Sequence, residues 1–297
     1  MALNDKMIAE LSFRARFLRE ETAFSWIQIS RSARNDRAVG LVFLACVLMF
    51  APISLHAQTI RIAAASDLQF VLPELAAQYE KQSGMKLTLT FGSSGNLFAQ
   101  IQNGAPFDLF LSADTSYPHK LIEASQGDAD SYDLYALGFL VIWLPVGSPV
   151  DLKVQGYRAL LDARIRKIAI ANPEFAPYGR AAVSALRNAG IYEQVKTKLV
   201  FGENVSQAAQ FVQSGGADAA IISRSLALSP PMKSGNRYEL EAMQFTPLEQ
   251  AAVILKSSAN KAAAKDFMEF LRTPAASEIW KSHGYLVAPK PPAGFTR

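Results

Sequence analysis

Two hydroxyls stand between two glycines at Gly92-Ser93-Ser94-Gly95, and serine in such surroundings admits two chemistries. One is nucleophilic, a serine activated by a histidine. The other is anion recognition, in which hydroxyls and unpaired backbone amides donate to ligand oxygens while glycine lets the backbone come close. The nucleophilic route lacks its frame. The run has neither the Gly-x-Ser-x-Gly spacing of a nucleophile elbow nor the Gly-Lys-Ser/Thr ending of a Walker loop, and beyond residue 57 the histidines are His119 and His283. A third reading is structural, because serine is a common helix N-cap and Ser94 could do no more than that.

Three further polar corners share the pattern: Ser66-Asp67, Pro177-Tyr178-Gly179 and Asn204-Val205-Ser206. None contains Lys or Arg, although Arg180 follows the third. Helix N-termini carry roughly half a positive charge each, so several aimed at one point hold a dianion without a counter-ion. Uncharged donors in a dry site also prefer an anion that carries no proton, since a bound hydroxyl would face another donor. Metal chemistry finds no ligands here. The single cysteine, Cys46, lies in the leader, and two scattered histidines are no zinc or haem set. No cofactor is expected, and the aromatics Phe267, Phe270 and Trp280 read as core at helical spacing.

The corners need strands and helices to hold them. Ile60 to Ala65 reads as a buried strand, and a helix starting near Leu72 carries the stripe Leu72, Leu75, Ala76 and Tyr79 up to Ser83-Gly84. Lys86 to Phe91 alternates as a strand, Leu97, Phe98 and Ile101 recur as a helix, and Leu109 to Leu111 is apolar again. Strand, helix, strand, helix, strand predicts a parallel sheet with crossover helices, whose ligands sit at the carboxyl ends of the strands. Tyr135 to Pro145, interrupted by Gly138, reads as the chain passing into a second α/β unit. That unit has strands at 167–171, 198–201 and 217–223, with helices marked by Ala182, Leu186 and Ala208, Ala209, Val212 between them. Gln250 to Leu255 brings the chain back. The architecture repeats without a sequence repeat.

The first 57 residues form a leader. Arg31, Arg34 and Arg37 precede an apolar run from Ala38 to Ala51, the length of a signal-peptide core and short for a membrane span. Leu55-His56-Ala57 supplies a small residue for cleavage before Gln58. The expectation is export to the periplasm with the signal ending near Ala57. An uncleaved anchor holding a sensor module is the competing reading. The net charge of +4 falls further towards balance without the leader, and no Lys/Arg run follows it, so a nucleic-acid surface is not expected.

Taken together, several of these runs resemble one family, the periplasmic molybdate-binding proteins of ABC importers. The carriers are Ala63-Ala64-Ala65-Ser66, Phe91-Gly92-Ser93-Ser94-Gly95, Gln100 to Pro106, Ser112-Ala113-Asp114, Asn172-Pro173-Glu174 with Ala176 to Gly179, and Glu203-Asn204-Val205. The resemblance implies a two-lobed class II binding-protein fold, each lobe a mixed, mostly parallel sheet flanked by helices, with the ligand cleft between them. Residues 58–137 with 248–297 would form lobe I and residues 138–247 lobe II. It implies binding of molybdate or tungstate by a monomer and delivery to a permease in the inner membrane, with no enzyme activity. The oxyanion-contacting positions fall on Ser66 and Ser94 through hydroxyl and amide, and on Tyr178 and Val205 through amides. Asp67 stands where one branch of the family uses Asn, so its carboxylate must turn away from a dianion. Many members donate a tyrosine hydroxyl where this chain has Ser223, so either Tyr178 compensates or the site has one donor fewer. The alternatives are a binder of sulfate, phosphate or an organic anion, and a secreted hydrolase using Ser94.

Overall fold

The computed structural model describes residues 59–240 and 245–289. The leader, Cys46 and the cleavage point before Gln58 lie outside the described residues.

Strand β1 (Thr59–Ala65) runs into a single 3₁₀ turn at Ser66–Leu68, and helix α1 (Val71–Ser83) follows. Its stripe of Val71, Leu72, Leu75, Ala76 and Tyr79 is buried, and it stops at Gly84, whose φ of 73° is the left-handed value that glycine adopts without strain. Then come β2 (Lys86–Gly92), α2 (Ser94–Gln102), β3 (Leu109–Ser112), α3 (Ser116–Glu123) and β4 (Asp133–Gly138). One residue later the chain is already in β5 (Leu140–Leu144), which belongs to a different sheet. The second sheet's elements are α4 (Leu152–Gln155), β6 (Ile168–Ala171), α5 (Pro177–Asn188), α6 (Tyr192–Val195), β7 (Leu199–Gly202), α7 (Val205–Gln213), β8 (Ala219–Ser223), α8 (Arg224–Leu228) and β9 (Asn236–Glu239). The chain returns through β10 (Leu248–Ile254) and closes with α9 (Lys261–Phe270), α10 (Pro274–Ser282) and β11 (Leu286–Val287).

The first sheet has the order β11-β4-β10-β3-β1-β2 and the second β7-β6-β8-β5-β9. In each, three strands are parallel: β1 lies between β2 and β3, and β6 between β7 and β8. The strands that carry the chain between sheets are antiparallel, β10 against β3 and β4, and β5 against β8 and β9. The sheets are therefore more mixed than a simple crossover pattern predicts, because every passage between them enters from the far end of a strand.

Alternation along β1 sorts the first core into two layers. Ile60, Ile62 and Ala64 pack with Leu72, Phe267 and Trp280 on one face, while Ala63 joins Leu97, Phe110 and Val253 on the other. The second sheet is buried on both faces, with β5, β6 and β8 fully enclosed. Two α/β lobes joined by adjacent strands result, and Phe267, Phe270 and Trp280 are core side chains.

Candidate anion-binding site

Register sets the site. Ala65 pairs with Gly92 and Ala171 with Gly202, so in each sheet two parallel strands end side by side and release their chains at the same level. The 3₁₀ turn at Ser66 and the N-termini of α2, α5 and α7 follow those strand ends. Ser66, Asp67, Ser94, Tyr178 and Val205 all line one small chamber, with about 10 Å³ in which the centre of a water-sized atom can move. Among the described residues no Lys, Arg or His lines it. A wider groove of about 400 Å³ runs beside it between Phe70, Ser206 and Met232, with largely apolar walls.

Helix geometry separates the amides that are engaged from those left over. In α2 the cap is Ser93, not Ser94: its side chain accepts from Asn96 N at 3.3 Å. The Gly95 amide donates to Phe175 O at 2.9 Å, which leaves Ser94 N at the first position without an intrahelical acceptor. The Ser94 hydroxyl accepts from Ala113 N at 3.0 Å, so its own proton remains available to a guest. In α7 the Asn204 side chain caps Gln207 N at 3.0 Å, and Val205 is the first helical residue. Sequence periodicity placed Val205 and Ser206 in a loop; the Asn204 cap starts the helix there instead. In α5, Gly179 N and Arg180 N both return to Ala176 O, leaving Tyr178 N in the first turn.

The lobes are stitched together around this chamber. Beyond the Gly95 contact, Asn96 Nδ2 donates to Glu203 Oε1 at 2.8 Å and Ser206 Oγ to Gln69 Oε1 at 2.7 Å. Arg180 is held at 2.6 Å by Asp114, so the cation nearest the third corner is already neutralised. Gly95 therefore has a different reason from close approach to a ligand. A Cβ there would lie 2.5 Å from Phe175 O and 2.6 Å from the Tyr117 hydroxyl, so its smallness serves the contact between lobes. The three atoms nearest a Cβ on Gly92 would all belong to the Leu97 side chain.

Asp67 is the unexpected member. It is 1% exposed, and its Oδ2 accepts from Gln250 Nε2 at 2.7 Å and lies 2.8 Å from the Tyr285 hydroxyl. Burial lifts its carboxyl above the ordinary carboxylate range, opposed by the hydrogen bonds from Gln250 and Tyr285. The Tyr178 hydroxyl lies 3.1 Å from Gln250 Nε2 and over Gly138, where a Cβ would approach it to 2.3 Å. There it accepts from Gln250. The Ser223 hydroxyl is committed elsewhere: it caps α8 at Leu226 N and pairs with Ser225. Gln250 and Tyr285 escape sequence reasoning, since they lie 183 and 218 residues from Asp67 along the chain.

Neither histidine addresses Ser94. His119 stacks on Tyr132 and His283 pairs with Glu74 at 2.9 Å. Among the described residues no group of three His, Cys, Asp or Glu side chains could hold a metal ion, and no helix is long and apolar enough to cross a membrane.

Two α/β lobes of like strand order, joined by adjacent strands and closed on a chamber at the strand ends, define a two-lobed periplasmic binding-protein fold. A family model for bacterial extracellular solute-binding proteins matches residues 60–286, and the chain belongs to that family. It is similar to the molybdate-binding protein ModA of Rhodobacter capsulatus, 36% identical over 236 residues that span 79% of this chain and 91% of that protein. It is also similar to the molybdate-binding protein ModA of Azotobacter vinelandii, 35% identical over 249 residues, 84% of this chain and 95% of that one. The solved periplasmic molybdate-binding protein of Azotobacter vinelandii superposes with a TM-score of 0.71 at 34% identity, over 77% of this chain and all of that one.

Proposed function

We propose that this chain is an exported binding protein that encloses molybdate, and tungstate alongside it, and delivers the anion to an ABC-type importer in the inner membrane. One observation carries the reading: corners from both sheets, with no cationic side chain among them, line a single chamber. Ser66, Asp67, Ser94, Tyr178 and Val205 are the proposed contacts, all to the anion's oxygens and none to its metal. The Ser66 and Ser94 hydroxyls and the first-turn amides of α2, α5 and α7 supply donors, and the helix N-termini supply the positive potential. The relatives named for molybdate binding support the choice of anion.

The working unit is a monomer that binds without catalysis and needs no cofactor. Residues 58–137 with 248–297 act as one lobe and 138–247 as the other, hinged where β4 passes into β5 and where the chain re-enters β10. A ring of donors held at fixed separation discriminates by size, because a smaller tetrahedral anion leaves its hydrogen bonds too long. Titration calorimetry of the purified mature chain with molybdate, tungstate, sulfate and phosphate tests this. Tight binding of the first two and weak binding of the others is expected. Sulfate bound as tightly as molybdate overturns the size argument, and turnover of an ester substrate lost in Ser94→Ala overturns the assignment as a binder.

A further inference from the structure

A carboxylate is an awkward neighbour for a dianion, yet Asp67 lines the chamber and is almost wholly buried. Among the described residues no cation pairs with it. The titratable groups facing it are phenols: Tyr285 from the segment after α10, Tyr178 from α5 and, beyond Gln250, Tyr135 from β4. Of the elements packed against the Ser66–Leu68 turn, α7 has no charged residue and α8 has Arg224. That guanidinium donates to Gly284 O at 2.7 Å and stacks on the Phe139 ring. Strand β2 carries Lys86 at its opposite end, paired with Glu80. Ser225 is neutral and binds the Asp67 carbonyl.

The oxygens of Asp67 are unequally served. Oδ2 has Gln250 and Tyr285, whereas Oδ1 is buried with no hydrogen-bond partner among the described residues. An ionised carboxylate with one bare oxygen carries a desolvation cost, and an enclosed dianion adds like-charge repulsion. A neutral acid removes both, and a proton on Oδ2 finds the Tyr285 oxygen as acceptor at 2.8 Å. Part of what surrounds Asp67 comes from the second lobe: Tyr178 lines the same chamber and bonds Gln250, and Ser225 donates to the Asp67 carbonyl. Separation of the lobes therefore rehydrates the carboxylate, and closure dries it.

We propose that loading of the chamber is coupled to protonation of Asp67: the side chain is ionised in the open, empty protein and neutral once a dianion is enclosed, so each anion brings one proton with it. This rests on the anion-binding reading above. Burial already pushes the carboxyl upward before any anion is present, which acts in the same direction. By linkage, the wild type loses affinity as pH rises, up to about tenfold in Kd per pH unit.

The test is titration calorimetry of the mature chain with molybdate between about pH 6 and about pH 9, in pairs of buffers with different heats of ionisation. Proton uptake approaching about one per anion, with Kd rising with pH, is the expected result. Asp67→Asn should show neither effect and should bind more tightly than the wild type at the alkaline end, a reversal that loss of structure would not produce. A flat wild-type profile without uptake overturns the coupling and leaves the molybdate assignment standing. Uptake that persists in Asp67→Asn also overturns it, by placing the proton elsewhere. Failure of the wild type to bind molybdate at any pH overturns both.

Discussion

Gly95→Ala separates closure of the lobes from stability of the fold. The added Cβ would lie 2.5 Å from Phe175 O, where contacts below 3.0 Å essentially never occur. Phe175 belongs to the opposite lobe and its oxygen is backbone, so no rotamer relieves the clash, and the lobes must part by half an ångström or more at that point. The Gly95 N to Phe175 O hydrogen bond of 2.9 Å is lost with it. Tyr178 and Val205 follow on the same side as Phe175, so the amides they offer move away from those at Ser66 and Ser94. A hydrogen bond to a charged group contributes about 1.5–3 kcal/mol. Losing two outright would cost about 3–6 kcal/mol, so weakening them costs up to that, or up to about 10² to 10⁴ in Kd. With the lobes apart on the proposed hinge the contact would be absent, and alanine in a helix is about 0.5–1 kcal/mol more favourable than glycine. The anion-free melting temperature should accordingly stay level or rise slightly while calorimetric affinity for molybdate collapses. Wild-type affinity in Gly95→Ala would refute the view that the enclosing conformation depends on this contact.

Ser94→Ala removes a donor to the anion and leaves Ala113 N without its acceptor. Affinity should fall about 10- to 100-fold in calorimetry, and unfolding stability by about 1–3 kcal/mol in urea melts. Arg180→Gln breaks the ion pair to Asp114, but the arginine side chain is 40% exposed, so the effect is limited to about 1 kcal/mol. Its affinity should drop less than about tenfold at low salt, and the gap to wild type should narrow as salt is added. Asp67 also sets a slope in stability. Its carboxyl is raised in the folded protein, so its contribution is fully present below the unfolded value of about 4 and is lost as pH rises through the folded one. Chemical denaturation across that interval, with molybdate present to hold the lobes closed, should show wild-type stability declining with pH relative to Asp67→Asn.

Short-range physics made most of the architecture legible. Alternation in Lys86 to Phe91, the stripe Leu72-Leu75-Ala76-Tyr79 and the glycine at 84 each describe a decision between neighbours a few residues apart, and the folded chain keeps all of them. The capping signals were readable in kind but not always in position. Ser93 and Ser94 are chemically equivalent candidates for one cap; Ser93 takes it, and the Ser94 oxygen instead accepts from Ala113 N, nineteen residues on.

The chamber itself needed more. The types of its corner residues, and their recurrence after strands, could be read along the chain. That Gly95 serves a contact with Phe175, that Arg180 is answered by Asp114, and that Asp67 rests on Gln250 and Tyr285 could not. Those facts depend on which strands end side by side and on how two lobes meet. Hydrogen bonds and steric contacts act over a few ångströms of space, and only the folded chain decides which distant residues come within that reach.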